Sequence, residues 1–255
     1  MLMPEIERSL DRLRPAYQLY RWVWASLDLF FPPQCGGCGA LGARWCSSCQ
    51  QRVEIIYLPV CEKCGQHSET GSRCVSCLDN PPDYTALRSY AVYSGELRKA
   101  IHRLKYEGDM ALAEVLARPM IQLLNSTTWS IDLVAPVPIG SARRRQRGYN
   151  QAALLAWPLA LSCSLSYRPH SLKRKRETRS QVGLTGDERR TNVSGAFSSS
   201  ASIVKGKSIL VVDDVTTSGA TIEACTQTLL ANGAKQVFGL TLARTAYAPD
   251  DRDDF

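Results

Sequence analysis

The clearest pattern along the chain is four consecutive aliphatic residues, Ile209, Leu210, Val211 and Val212, with no polar position among them. A strand buried on one face alternates apolar and polar side chains. An unbroken β-branched run predicts a strand covered on both faces, as in a parallel sheet packed between helices. Helical periodicity follows over residues 221–231 and ends at Asn232-Gly233, a stop signal, after which residues 237–242 predict a further strand. Upstream, residues 131–137 (IDLVAPV) predict another strand, Pro138-Ile139-Gly140-Ser141 a turn, and residues 152–161 a helix. Strand and helix patterns alternate, so the fold expected is α/β with a Rossmann-like parallel sheet. Residues 172–197 break the pattern: they are polar and charged, with neither period, and read as a loop.

Near the start, residues 19–31 are largely apolar but interrupted by Arg21 and Asp28, and fall short of the ~20 apolar residues a bilayer span needs. They predict an amphipathic helix whose Trp22, Trp24, Leu27, Phe30 and Phe31 pack onto the body, the alternative being a peripheral contact with the inner membrane surface. Charged residues Glu5, Glu7, Arg8, Asp11, Arg12 and Arg14 precede that run, which is not the pattern of a secretory leader, so the expected compartment is the reducing cytoplasm. The composition, 44% hydrophobic and 22% charged, is that of a folded globular chain. The acidic stretch from Pro249 to Phe255 is expected to be a disordered tail.

Cysteine changes the picture. Eight of the ten cysteines form four C-x-x-C pairs: Cys35/Cys38, Cys46/Cys49, Cys61/Cys64 and Cys74/Cys77. In a reducing compartment this spacing suits tetrahedral thiolate coordination of zinc, and two such turns about ten residues apart make a zinc ribbon. Gly39 and Gly65, each directly after a pair, permit the left-handed backbone of such a knuckle. The unit occurs twice, giving a double zinc ribbon with two Zn²⁺. Sequential pairing closes the shorter loops and is favoured on entropy, with interleaved pairing the alternative. Cys163 and Cys225 stand alone in apolar helical contexts and read as small core residues.

Charge is concentrated. Residues 140–192 hold 12 Lys/Arg against 3 Asp/Glu, while the rest of the chain carries 19 basic against 21 acidic residues. Such a segment is a place for phosphate groups. Arg143, Arg144, Arg145 and Arg147 lie between a predicted strand and helix, where a basic loop suits pyrophosphate. These residues, with Lys173, Arg174, Arg176 and Arg179, can equally neutralise the phosphates of single-stranded DNA or form a solvated face. Between strand 209–212 and helix 221–231 stands the loop with most chemistry. Asp213 and Asp214 sit where paired carboxylates can accept hydrogen bonds from the vicinal hydroxyls of a ribose. Val215, Thr216, Thr217, Ser218, Gly219, Ala220 and Thr221 then offer backbone N–H groups and hydroxyls at a helix start, where an anion is favoured.

Residues 211–221, VVDDVTTSGAT, resemble the phosphoribosyl-pyrophosphate (PRPP) motif of type I phosphoribosyltransferases. That resemblance implies Mg²⁺ bound with PRPP, and a flexible loop at 172–197 closing over the reacting centre. With the cysteine block in front, with Leu104-Lys105-Tyr106 and Gly108, and with RxRGYNQ at 145–151, the chain resembles the ComF (GntX-like) family of competence-associated proteins. The family resemblance places Lys105 near the cleft, although a basic residue at a helix end is also favourable in itself. The organisation expected is an N-terminal helix (1–33), a double zinc ribbon (34–80), a phosphoribosyltransferase-type domain (83–246) and the tail (247–255). The role implied is support of single-stranded DNA entry into the cytoplasm, alongside a helicase-like partner. An active transferase on a nucleobase or amine, and a PRPP-sensing DNA-binding regulator, are the alternatives.

Overall fold

In a computed structural model the chain is described at residues 15–28, 32–68, 70–176 and 195–246. Strands β1 (Ala86–Val92), β2 (Leu133–Pro136), β3 (Ser166–Tyr167), β6 (Ser208–Thr216) and β7 (Gln236–Arg244) form one parallel sheet in the order β1-β7-β6-β2-β3. The aliphatic run lies on central β6, where Ile209 is registered with Leu133 on one side and Val237 on the other. Its side chains alternate between two cores. Leu210 and Val212 join the cluster formed with helices α4 (Gly95–Tyr106), α5 (Leu112–Asn125) and α7 (Gln151–Cys163). Ile209 and Val211 join the opposite cluster with α9 (Ala220–Ala231) and with Leu172 and Phe197. Continuous hydrophobicity therefore reflects burial on both faces.

Several expected boundaries move. The strand expected at 209–212 runs on to Thr216, because β7 continues to pair with it through Thr216↔Arg244, so the acid pair lies within the strand. The basic stretch expected as a loop is a short helix, α6 (Ser141–Arg147), ended by Gly148 at φ 81°. Arginine is a good helix former, and nothing in ARRRQR opposes a helix. The stretch 172–197, expected to lack regular structure, begins and ends in a two-stranded antiparallel ribbon of β4 (Leu172–Arg174) and β5 (Phe197–Ser199), followed by the one-turn helix α8 (Ala201–Val204). Leu172 and Phe197 are buried on the α9 side, which anchors the ribbon. Residues 177–194 lie outside the described part.

The first helix, α1 (Pro15–Asp28), packs differently from expectation. Tyr17 is buried, with its hydroxyl donating to Glu114 Oε1 at 3.3 Å, and Tyr20 meets Trp157 edge-on at 5.1 Å. Trp22 is instead 73% exposed, as are Leu19 and Val23 for the most part, because the tyrosine stripe faces α5 and α7. Phe30 and Phe31, and the side chains of Trp24 and Leu27, lie outside the described part. No helix among the described residues is long and apolar enough to cross a membrane.

The cysteine segment, with the short helices α2 (Ser47–Gln51) and α3 (Val75–Asp79), covers the free edge of β1. Leu87 N–H donates to Lys63 O at 2.7 Å, Val92 N–H to Glu54 O at 2.8 Å, and Ile56 N–H to Tyr90 O at 3.0 Å. An unpaired edge strand is a template for association with other chains, and the ribbons remove it here.

Candidate functional site

The strand's alternation fixes where the acids go. Asp214 shares the parity of Leu210 and Val212, so its side chain enters the α4/α7 side of the sheet. There it forms an ion pair with Lys105 Nζ, and Gln151 Nε2 donates to its Oδ1 at 3.4 Å. Asp214 is 3% exposed, and an unpaired carboxylate so placed would cost several kcal/mol, so the pair is required by burial. Asp213 turns back along the strand, its Oδ1 accepting the Asp214 N–H at 2.9 Å. Burial, then the neighbouring Asp214 charge, push the Asp213 carboxyl well above the usual carboxylate range. Burial acts on Asp214 in the same sense, but the Lys105 ammonium outweighs it and holds that carboxyl below its ordinary value. Lys105 is correspondingly raised, burial opposing and the Asp214 charge prevailing. The Asp214 carboxylate is thus paired with the Lys105 ammonium, and Asp213 stands beside that pair.

Lys105 arrives there because α4 buries Leu97, Ala100, Ile101 and Leu104 at helical spacing, which sets the next side chain at the edge of the stripe. The segment 147–151 locks this helix end. Tyr149 Oη donates to Leu104 O at 2.6 Å, Arg147 lies 4.6 Å over the Tyr106 ring, and Arg147 Nη1 donates to Gln151 Oε1 at 3.0 Å. Asn150 caps α7 by accepting the Ala152 N–H at 3.1 Å. Gln151 thus joins Arg147 to Asp214. In the sequence it closes the RGYNQ motif, and its type and position alone assign it no role.

After the acids, Val215 and Thr217 are partly buried, Thr216 is buried and Ser218 is exposed. Gly219 is the N-cap of α9 at φ 83°, and a Cβ there would lie 3.3 Å from Tyr84 Oη. The first turn, beginning at Ala220 and Thr221, carries N–H groups that no helix can satisfy internally, and the positive end of its dipole. Behind this loop is a cavity of about 210 Å³ whose walls include Cys64 and Cys77 of the second ribbon, Tyr84, Gly219 and the buried Arg244. The second ribbon therefore stands directly against the loop.

The basic residues differ in exposure. Arg144 and Arg145 are exposed on α6, Arg143 and Arg147 partly buried, and no residue of that helix is buried. Lys173 is exposed on β4, while Arg174 reaches across to Phe197 at 5.4 Å and Arg176 is exposed just beyond the strand. Arg179 lies outside the described residues. Cys225 is buried in α9 as expected of a core residue; Cys163, at the end of α7, is only half-buried, its thiol 3.7 Å from Asn125 Oδ1.

The cysteines gather in the sequential quartets: Cys35, Cys38, Cys46 and Cys49, and separately Cys61, Cys64, Cys74 and Cys77, each set of sulfurs lying within 4.8 Å. The Cys35–Cys49, Cys38–Cys46 and Cys64–Cys74 separations are 3.6, 3.7 and 3.7 Å. A regular tetrahedron with a Zn–S bond of about 2.3 Å has edges of about 3.8 Å, so both quartets fit zinc. Gly39 and Gly65 have φ of 78° and 69°, and a Cβ on Gly65 would meet Leu87 O at 2.3 Å. Burial raises the Cys35 and Cys61 thiols, but backbone N–H donors outweigh it and bring each to about 6. Four thiolates around Zn²⁺ leave a doubly negative centre, and each quartet has two arginines against it. Arg52 Nη2 donates to Cys49 Sγ at 3.5 Å and Arg103 Nη1 to Cys35 O at 3.0 Å. Arg88 Nη1 donates to Glu62 O at 3.1 Å and Arg244 Nη1 to Cys64 O at 2.8 Å. Sequence reasoning missed these four, although Arg244, a charge ending an apolar strand, was a visible signal.

Comparison with known proteins agrees with this two-part layout. Residues 26–78 match the double zinc ribbon domain family and residues 104–254 the phosphoribosyl transferase domain family. The DNA utilization protein YhgH of Salmonella typhimurium is 34% identical over 206 residues, covering 78% of this chain and 90% of that protein. Competence protein F of Haemophilus influenzae is 29% identical, covering 78% and 90%, and competence protein ComFC of Bacillus subtilis 26% identical, covering 88% and 90%. A phosphoribosyltransferase-type α/β domain fronted by a double zinc ribbon, shared with these relatives over most of their length, places the chain in the ComF family.

Proposed function

We propose that the chain is a competence-type protein whose sheet-end site holds PRPP or a related phosphoribosyl ligand, and which supports passage of transforming single-stranded DNA into the cytoplasm. One observation carries this reading: the acid pair and phosphate loop stand at the carboxyl end of a buried parallel strand, directly against a second zinc ribbon. Open α/β sheets bind ligands in that crevice. Relatives named for competence and for DNA utilization supply the cellular context.

In this reading residues 34–80 form the ribbon unit and 83–246 the ligand-binding domain. Asp213 and Asp214 accept the ribose hydroxyls, and the segment from Val215 to Thr221 cradles the 5-phosphate. Arg143, Arg144 and Arg145 face pyrophosphate or the phosphates of the DNA strand. Mg²⁺ accompanies PRPP through its pyrophosphate oxygens, as a hard cation with oxygen ligands. The exposed Leu19, Trp22 and Val23 support a peripheral contact with the inner membrane surface, close to a helicase-like partner.

The test is natural transformation frequency in a strain whose chromosomal copy carries Asp213→Asn/Asp214→Asn, isosteric changes that keep the core filled. Uptake is expected to fall at least ten-fold. Wild-type frequency would separate the loop from competence. A second reading, a working phosphoribosyltransferase, is favoured by the complete PRPP-type loop and by the β4–β5 ribbon at the foot of the 172–197 stretch. PRPP-dependent pyrophosphate release with a nucleobase or amine acceptor distinguishes it.

A further inference from the structure

Each cysteine quartet reaches the crevice through one arginine. In the first, Arg103 Nη1 donates to Cys35 O at 3.0 Å; in the second, Arg244 Nη1 donates to Cys64 O at 2.8 Å. Both carbonyls belong to members of the quartets, so each arginine grips the knuckle itself. Arg244 is 5% exposed, and the Nε of each arginine is buried without a hydrogen-bond partner. A guanidinium so placed depends on the acceptors it has, because a buried charge deprived of its partner is strongly destabilising. The other end of each contact lies at the site. Arg103 stands on α4 two residues before Lys105, which pairs with Asp214. Arg244 closes β7 in register with Thr216, and the next amide, Thr245 N–H, donates to Thr216 O at 3.0 Å. At Thr216 the strand β6 ends and the rest of the phosphate loop follows. The knuckles are seated as closely on the domain: a Cβ on Gly37 would lie 2.8 Å from Glu96 Cβ of α4, and one on Gly65 2.3 Å from Leu87 O.

We propose that Arg103 and Arg244 are positioning residues that carry the metal state of the two knuckles to the two halves of the crevice, Arg103 to the acid pair and Arg244 to the phosphate loop. A loaded quartet holds its knuckle, the knuckle holds its arginine, and the arginine fixes one wall before a ligand arrives. Zinc loading and ligand binding are therefore linked, and the ribbons regulate the site. The ligand in this inference rests on the phosphoribosyl reading above; the mechanical link does not.

The test uses the full-length chain in four forms: wild type, Arg244→Met, Cys74→Ser to empty the second quartet, and the double variant. Titration with Mg²⁺-PRPP by calorimetry is expected to show a loss of about ten-fold in each single variant, a size usual for coupling between sites. Arg244→Met is expected to keep about two zinc ions per chain. The double variant is expected to bind no more weakly than Cys74→Ser alone, because both changes cut the same link. An arginine that only stabilised the fold would give losses that multiply. A second readout needs no ligand. Cys74→Ser and Arg244→Met are expected to speed hydrogen exchange at the Thr245 amide and to spare the Glu107 amide, which donates to Arg103 O at 3.0 Å. Cys38→Ser, in the first quartet, is expected to do the reverse. Losses that multiply, or exchange at these two amides that ignores which quartet is emptied, would overturn the inference. If Cys74→Ser does not fold, Arg244→Met decides: unchanged PRPP affinity and unchanged Thr245 exchange would sink the proposal. If no form binds PRPP but the exchange pattern holds, the phosphoribosyl reading fails and the link stands. Equal PRPP binding by all four forms removes this inference alone.

Discussion

Arg143, Arg144, Arg145 and Arg147 lie within one short helix, yet their surroundings assign them different work. Arg147 is spent inside the protein, stacked on Tyr106 and bonded to Gln151, whereas Arg144 and Arg145 are exposed. The types and spacing of these residues were visible in the sequence; which of them faces inward was not, because that depends on α4, distant in the chain. The same holds for Lys105, a basic residue at a helix end whose partner lies on another element. A charge-reversing pair, Arg144→Glu/Arg145→Glu, is expected to weaken single-stranded DNA binding steeply at low salt. It should also flatten the salt dependence by about 0.7 in log–log slope for each phosphate no longer neutralised. Filter binding across a salt series checks this, and an unchanged slope would remove α6 from DNA binding. Arg147, held from within, contributes to stability instead.

Among the elements, those with a strong period were legible. The run at Ile209, α9 and β7 could be read from aliphatic and helical spacing, with the ends of the two strands displaced by a few residues where pairing across the sheet extended them. The β4–β5 ribbon could not, because each strand is three residues long and is specified by pairing with a distant segment. The cysteine block was legible in its ligands but not in its placement. It covers the open edge of β1 through Lys63 O, Glu54 O and Ile56 N–H, a use that no local pattern announces. Metal holds these short segments in place, since few apolar residues lie between them and ribbons of this kind fold with their zinc. Removal of about two zinc equivalents with a strong chelator is expected to release the Leu87 and Val92 amides, which donate to the ribbon segment, to rapid hydrogen exchange. Amides of the central run at Val211 and Val212 should remain protected. Retained protection at Leu87 and Val92 in the zinc-free chain would show that the ribbon fold stands without metal.

At the scale of the whole molecule, the fold brings three separate stretches to one crevice: the end of α4, the 147–151 turn and the acid-bearing end of β6. The second ribbon closes the far side of the loop at 218–220, so the zinc block and the ligand loop form one construction. The loop alone suggested a phosphoribosyl ligand; its neighbours show that Asp214 is paired with Lys105 and that a cysteine quartet stands behind the loop. The central claim is that this crevice holds PRPP through Asp213 and Asp214. The direct measurement is calorimetric titration of Mg²⁺-PRPP into the zinc-loaded, full-length chain and into its Asp213→Asn/Asp214→Asn variant. Saturable one-to-one binding is predicted for the wild type, with a loss of about 100-fold in the variant, the size of two hydrogen bonds to charged groups. Equal affinity in the two proteins, or no binding to the wild type, would contradict it.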